Sequence, residues 1–568
     1  MDTESVALHE RWFWISIPLV LCLLPFTIPI QTGQMAGAGP DVVSTVWAMW
    51  WFQQEWTGPA WGGDSTLFNF PFGGHGAILS PLYAVLWSVL DGVFGPSWGT
   101  TLTDYLVLVS MYLGMVAIAR KMQCSRLVAS CAGMLILLPR YTIFTLGETG
   151  VVGVAMFPIL LGIYALLSWE DKNIWKYILV LCISTQSMEN PYLALVLPML
   201  AFLYAMIHRE KKLDVLQYVL LGLVGMGLVA YMYHSASGSY ESVIPTSYTQ
   251  LFSLHFPAVE RTWARSTITD MFTANSVIWP GGSMDSIHMR GRQFLGYSGV
   301  VLALISMVVC RKQSVFWLWM GTAVFGLILV TGSDWNGYPS VFGILNSVAS
   351  QIVRPFTQPS RYFVLYSLGV GLGITYFLQQ IQAKHIRYPI LCWLLLVGES
   401  VWWGGLSLRI PSSKLPDPVC MGALHLDGPV LVFPWDGADD QWFESTLQSR
   451  LFQIVHEQPG ATIGTGSWPL KGIVFPGAVL RDLGWRAVID GKGGLDITTL
   501  GNWGYKYAIV DTSVGRVLTR RMRDDVFGME NTLANCPGYD VYSLSTWNAT
   551  PQTGITHPYA GRHIQNTP

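Results

Sequence analysis

The chain predicts an α-helical polytopic membrane protein of about eleven spans, followed by a small soluble α/β domain. Three observations predict it. Of 568 residues, 51% are hydrophobic and only 12% charged, about half the charge of an ordinary soluble domain. The apolar residues gather in runs long enough to cross a bilayer. After Leu408 the pattern ends: residues 408–568 hold thirteen Lys/Arg and fifteen Asp/Glu, an ordinary soluble composition.

The first apolar run, Trp12 to Ile30, is long enough to span and has no small-residue cleavage site, so it reads as an anchor. Further candidate spans lie near 103–119, 127–144, 151–168, 175–190, 191–207, 213–234, 296–310, 314–332, 362–380 and 388–407. Basic residues sort their linkers into two kinds. Arg11, Arg120/Lys121/Arg126, Lys172/Lys176, Arg209/Lys211/Lys212, Arg311/Lys312 and Lys384/Arg387 alternate with linkers that hold no Lys. This places the basic turns and the N-terminus in the cytoplasm, and the C-terminus outside a bacterial inner membrane.

Residues 31–102 form the large first outer loop and contain neither Lys nor Arg. Within them, Ile78–Phe94 is long enough to cross. Counting it as a span would invert most later basic turns. It therefore reads as an in-plane amphipathic helix with Pro81 in its first turn. The domains are 1–407, helical, and 408–568, soluble.

In the tail, Val430–Pro434, Tyr505–Asp511 and Asp540–Leu544 read as strands. Gln441–His456 and Arg516–Met529 read as helices. Six of the eight cysteines fall in or beside spans, as small buried hydrophobes. Cys420 and Cys536 lie in the polar tail, where an oxidising location would let them pair. A net charge of −2 gives no footprint for nucleic acid. No phosphate loop, dinucleotide fingerprint, nucleophile elbow or paired-His zinc motif occurs.

Candidate site residues collect on the outer side. Asp41 follows Pro40 at the start of a helix running through Trp47, Trp50 and Trp51. The helix dipole keeps a carboxylate there ionised, fit to act as a base or to bind a cation. It is equally a plain first-turn helix acid, and the Trp stripe is equally an interfacial belt. Glu148, in the short turn Gly147-Glu148-Thr149-Gly150, sits at the same level and could share a cation with Asp41. Glu189, just before Asn190-Pro191, is a deep carboxylate of a kind usually kept for a purpose. Glu399 raises the same question. Arg354 and Arg361 flank the stiff stretch Pro355–Pro359, and guanidinium forks suit phosphate. Anchoring by snorkelling would explain them too. His75, in a Gly-rich loop, and Trp51 are candidates for substrate contact.

The arrangement resembles the GT-C class of membrane glycosyltransferases. The resemblance rests on Asp41…Trp47…Trp50-Trp51, Phe70-Pro71-Phe72-Gly73, Leu79-Ser80-Pro81-Leu82 and Leu138-Pro139-Arg140-Tyr141. It extends to Arg354-Pro355…Pro359-Ser360-Arg361-Tyr362, Val432-Phe433-Pro434, His456…Pro459 and Tyr505–Val510. It implies a transferase that takes sugar from a polyprenyl-phosphate donor and acts on a glycan, lipid or protein acceptor at the outer face. Asp41 would activate the acceptor and Glu148 would assist it or a divalent cation, Mg or Mn. Arg361 and Arg354 would hold the donor phosphate. The chain lacks the paired acidic residue at Asp41-Val42, which leaves the metal open. A non-catalytic transporter or scaffold for envelope assembly is the alternative. Transport predicts broken helices and charges along a central path, and few such charges are visible in the sequence.

Overall fold

The computed structural model describes residues 12–37, 40–55, 63–65, 74–76, 80–154, 156–190, 193–237, 295–330, 334–335, 338–339, 362–382, 385–433, 451–457, 467–469, 504–512 and 531–544. In chain order the helices are α1 Phe13–Thr32, α2 Pro40–Glu55, α3 Pro81–Lys121, α4 Arg126–Leu137, α5 Arg140–Thr149, α6 Phe157–Leu167 and α7 Ile174–Glu189. Then follow α8 Val196–Ile207, α9 Lys212–Ser237, α10 Tyr297–Val309, α11 Ser314–Val330, α12 Phe363–Gln382, α13 Arg387–Trp402 and α14 Pro418–Ala423. Every segment read as a span carries a helix. Five described helices are long and apolar enough to cross a membrane, or six if the pair α4 and α5, bent by 53°, is one span.

By contacts the chain divides into two units. One is Met1–Gly37, Thr100–Tyr231 and Leu251–Ser412. The other is Ala38–Gly99, Met232–Gln250 and Ser413–Pro568. The division places residues 38–99 with the C-terminal residues, where the sequence reading keeps the whole first loop with the helices.

In the first unit, each helix that meets a basic turn does so at one end only. The turns fall after α3, α6, α8, α10 and α12, and the following helices start from them. Ser130 on α4 ties four helices together. Its hydroxyl donates to Trp14 O at 2.6 Å and accepts from Trp393 Nε1 at 2.8 Å, with Tyr112 OH also 2.8 Å away. That fills a hydroxyl's one donor and two acceptor sites. Helices α11 and α12 meet through glycines. A Cβ on Gly326 would lie 2.4 Å from Tyr366 N, and one on Gly369 would lie 2.5 Å from Ala323 N. Small residues let backbones approach this closely where lipid supplies no hydrophobic drive.

Helix α3 cannot be one straight rod. Its 41 residues would reach about 60 Å at 1.5 Å each, twice the hydrocarbon thickness. It breaks at Gly95, with φ 78 and ψ 168, a conformation open to glycine. Pro96 restarts the helix. The chain folds back sharply: a Cβ on Gly99 would sit 3.0 Å from Asp91 Cα. The parts of α3 before and after Gly95 are thus separate helices.

The second unit contains α2, the first part of α3, α14, a helical segment 451–456 and two sheets. The strands are β1 Gly63–Ser65, β2 Gly74–Gly76, β3 Val430–Phe433, β4 Ser467–Pro469, β5 Tyr507–Asp511, β6 Thr532–Cys536 and β7 Tyr539–Ser543. One sheet runs β6-β7-β5-β3, antiparallel except for the parallel pair β3 and β5. Strands β3, β5 and β7 fall where β-rich apolar runs predict them. Strand β6 and the three-stranded sheet β1-β2-β4 have no such signal. Asp417 caps α14, accepting from Val419 N at 3.0 Å and Cys420 N at 3.4 Å. Cys420 and Cys536 form a disulfide with their Cα atoms 6.0 Å apart, as their common polar setting predicts. The predicted helix over Arg516–Met529 and residues 441–450 lie outside the described residues.

Candidate active site

Asp41 is the second residue of α2, directly after Pro40. Pro at the first helical position presets the backbone without losing a needed N–H. The position is the N-terminal one expected. The Asp41 side chain lies outside the description.

The helix behind it is held firmly. Trp47, Trp50 and Trp51 are 0, 1 and 1% exposed, so the stripe is core and not an interfacial belt. Trp47 Nε1 donates to Gln453 Oε1 at 2.8 Å across 406 residues, and Gln453 is fully buried. The Trp47 and Trp50 rings lie 6.3 Å apart. Trp51, a candidate for substrate contact, is buried in the same way. Next to Gln453, burial pushes His456 down to about 3, so its ring is neutral at ordinary pH. The neighbouring Glu457 is raised by burial and by the nearby Asp91 carboxylate. The C-terminal residues therefore fix the helix that carries Asp41.

His75 does not lie in a loop. It is the middle residue of β2, in register with Asp64 on β1 and Trp468 on β4. Glu148 is not in an open turn either. Helix α5 continues through it to Thr149 and stops at Gly150, where φ is 66. The side chains of His75 and Glu148 lie outside the described residues, as do Arg354 and Arg361 entirely. The first described residue after Arg361 is Tyr362, 0% exposed.

In the helical unit, the ends away from the basic turns hold buried polar groups. Glu189 closes α7 at 2% exposure, with Gln186 and Asn190 at 0%. Among the described residues, the Asn190 side-chain amide has no hydrogen-bond partner. Asp104 in α3 is 2% exposed, follows buried Thr100, Thr101 and Thr103, and among the described residues its Oδ2 has no hydrogen-bond partner. It lies seventeen residues before Lys121, about 25 Å along the helix, so it is far from the basic turn. Sequence reasoning missed Asp104. The signal was there: a lone carboxylate inside an apolar span is rare without a purpose.

Two further polar residues at this end have structural work. Glu399 accepts from Tyr297 N at 2.5 Å and Ser298 N at 2.8 Å. It caps α10 from another helix, satisfying donors that a helix start leaves open. Arg140 Nε donates to Trp403 O at 2.6 Å, just past the end of α13, where the helix dipole favours a cation. Between them Gly405 N donates to Leu138 O at 2.8 Å, bracing the bend between α4 and α5. Glu399 thus answers its question as a cap. Arg140 is buried and engaged.

Among the described residues no group of three His, Cys, Asp or Glu could hold a metal ion.

No family model matches the chain, and no curated protein matches its sequence. Among solved structures, the cryo-EM structure of the arabinofuranosyltransferase AftD from Mycobacteria is similar over 96% of this chain. The TM-score is 0.52 and the identity 14%. The fold is of the GT-C type. This chain spans 40% of the AftD chain. The Archaeoglobus fulgidus oligosaccharyltransferase AglB, solved with an inhibitory peptide and a dolichol-phosphate, aligns with 95% of this chain and 75% of its own, at TM-score 0.45 and 10% identity. ArnT from Cupriavidus metallidurans, bound to undecaprenyl phosphate, aligns with 97% of this chain and 100% of its own, at TM-score 0.39 and 13% identity. Residues 38–99 of the first loop belong to the second unit.

Proposed function

We propose that this chain is a membrane glycosyltransferase. It takes a sugar from a polyprenyl-phosphate carrier and passes it to an acceptor at the membrane face opposite the basic turns. The observation that carries the reading is the GT-C fold with its first-loop carboxylate on a rigidly held helix. Asp41 starts α2, and buried tryptophans and Gln453 fix that helix. A base must be held within a few tenths of an ångström to act, and this anchoring supplies that.

In this reading Asp41 takes the proton of the attacking acceptor hydroxyl as the glycosidic bond to phosphate breaks. Glu148 assists it, Arg361 and Arg354 hold the departing phosphate, and Glu189 and His75 are the remaining candidates for substrate contact. Carboxylates suit a divalent cation such as Mg or Mn, and no step is assigned to one. The Cys420–Cys536 bond supports an oxidising, extracytoplasmic setting for the second unit. The basic turns then face the cytoplasm, as does the N-terminus.

The test is Asp41→Asn in the full chain, with labelled polyprenyl-phosphate sugars supplied to membrane vesicles. Loss of a general base lowers transfer by roughly 10²- to 10⁴-fold, with unchanged protein level and thermal unfolding. Transfer at the wild-type rate overturns the reading.

A further inference from the structure

A second lipid site, separate from the proposed sugar chemistry, lies at the other end of the helical unit. A groove of about 830 Å³ runs between α8, α9 and α11. Its walls include Leu203, Val219, Leu223, Trp317, Val324 and Ile328, all apolar. From Trp317 to Ile328 it extends eleven residues, about 16 Å. That is the hydrocarbon depth of one leaflet, half of about 30 Å.

The groove opens into the membrane. On α9, Leu220, Leu221, Val224 and Leu228 are all more than half exposed, a surface that belongs in lipid. Among the described residues, nothing fills the groove at Gly321. A Cβ on Gly321, which lines it, would meet nothing within 4 Å.

One end of the groove is cationic. Lys212 begins α9 and lies two turns before Val219, on the same helix face. Arg311 and Lys312 precede α11, and Trp317 Nε1 donates to Arg311 O at 2.7 Å. That bond ties the groove wall to the basic turn. Lys212, Arg311 and Lys312 are exposed, and none has an acidic partner among the described residues. Their neighbours differ: Lys211 pairs with Glu170 at 2.6 Å and Lys176 with Asp214 at 2.6 Å. Three uncompensated cations remain at the mouth of a leaflet-deep apolar groove.

We infer that this groove holds an anionic phospholipid of the leaflet on the basic-turn side. Its acyl chain lies along α8, α9 and α11, and its phosphate sits against Lys212, Arg311 and Lys312. Basic pockets between membrane helices are known to take anionic headgroups. The one-leaflet depth and the position of the charge favour a phospholipid over a long polyprenyl chain. The site is independent of the transfer reading.

The test uses the full chain in nanodiscs that mix phosphatidylglycerol with phosphatidylcholine, with retained lipid counted by native mass spectrometry. Each cation near the headgroup is worth roughly fivefold in preference. Wild-type protein should therefore retain phosphatidylglycerol over phosphatidylcholine by at least about tenfold. The variant Lys212→Gln/Arg311→Gln/Lys312→Gln should lose that preference while still holding phosphatidylcholine. Gly321→Phe fills open space in a helix, so it should fold normally and lose both lipids. Equal retention of the two lipids by wild type overturns the inference. So does an unchanged preference in either variant, or retention of an added polyprenyl phosphate in place of phosphatidylglycerol.

Discussion

The two ends of the helical unit handle polar groups in opposite ways. At the basic-turn end several charges pair near the surface, as in Lys176–Asp214 and Lys211–Glu170. At the other end the polar groups are buried: Asp104, Gln186, Glu189, Asn190, Glu399 and Arg140. An exposed pair contributes about 0–1 kcal/mol and is screened by salt. A buried polar group costs several times that unless it is satisfied. A chain keeps such groups only where they hold the structure or do chemistry. Glu399 and Arg140 hold structure. Among the described residues, Asp104 Oδ2 and the Asn190 amide have no hydrogen-bond partner, so neither holds structure in that way.

Substitutions can break or sharpen this contrast. The largest stability effect is expected at Glu399→Ala, which leaves the Tyr297 and Ser298 amides without their acceptor. Two orphaned, poorly solvated donors cost about 2–4 kcal/mol, read as a lowered thermal unfolding midpoint. Glu399→Gln should recover part of the loss, because one amide oxygen still accepts. If Ala is tolerated, the cap is not structural and Glu399 rejoins the candidate site.

Asp104→Asn should behave differently. Replacing a buried, unpartnered carboxyl with a neutral isostere should change stability by less than about 1 kcal/mol. If the buried polar groups at this end take part in transfer, sugar transfer should still fall at least about tenfold. A large loss of stability with normal transfer per folded molecule would make Asp104 a structural residue.

The second unit offers a pH test of burial. His456 is held near 3 in the folded chain, against about 6.5 when unfolded. Between those values the unfolded state binds the extra proton, so stability rises with pH. The neutral ring's contribution is complete above about pH 6.5 and is lost as pH falls toward 3. His456→Gln should flatten the unfolding profile between pH 4 and 6.5. An unchanged slope there would mean that the ring is solvated.

The smallest effect belongs to the exposed end. Glu170 is fully exposed, and its carboxyl is lowered by the hydrogen bond and charge of Lys211. Glu170→Gln should leave the unfolding temperature unchanged at physiological salt. A measurable drop would show that pairing at the basic turns matters as much as burial opposite them.

Much of this was legible without coordinates. A helix sits in every long apolar run, because hydrocarbon leaves a backbone few other ways to bond. Basic linkers alternating with Lys-free ones sorted the helix ends into two sets. Cys420 and Cys536 stood apart from the membrane cysteines by composition alone. Pro40 placed Asp41 at a helix start, because its fixed φ suits only that position.

The tertiary structure decided what local pattern cannot. A Trp stripe at helical spacing reads the same whether it faces lipid or core, and only Gln453, 406 residues away, makes it core. Glu399 looked like a buried charge in search of a function until α10 brought two amide donors to it. His75 entered a strand because β1 and β4 pair on either side of it, and no local signal encodes a partner 393 residues ahead. Periodicity records how a segment meets its own neighbours along the chain. The worth of a buried polar group depends on distant segments that fold against it, and those meet only in three dimensions.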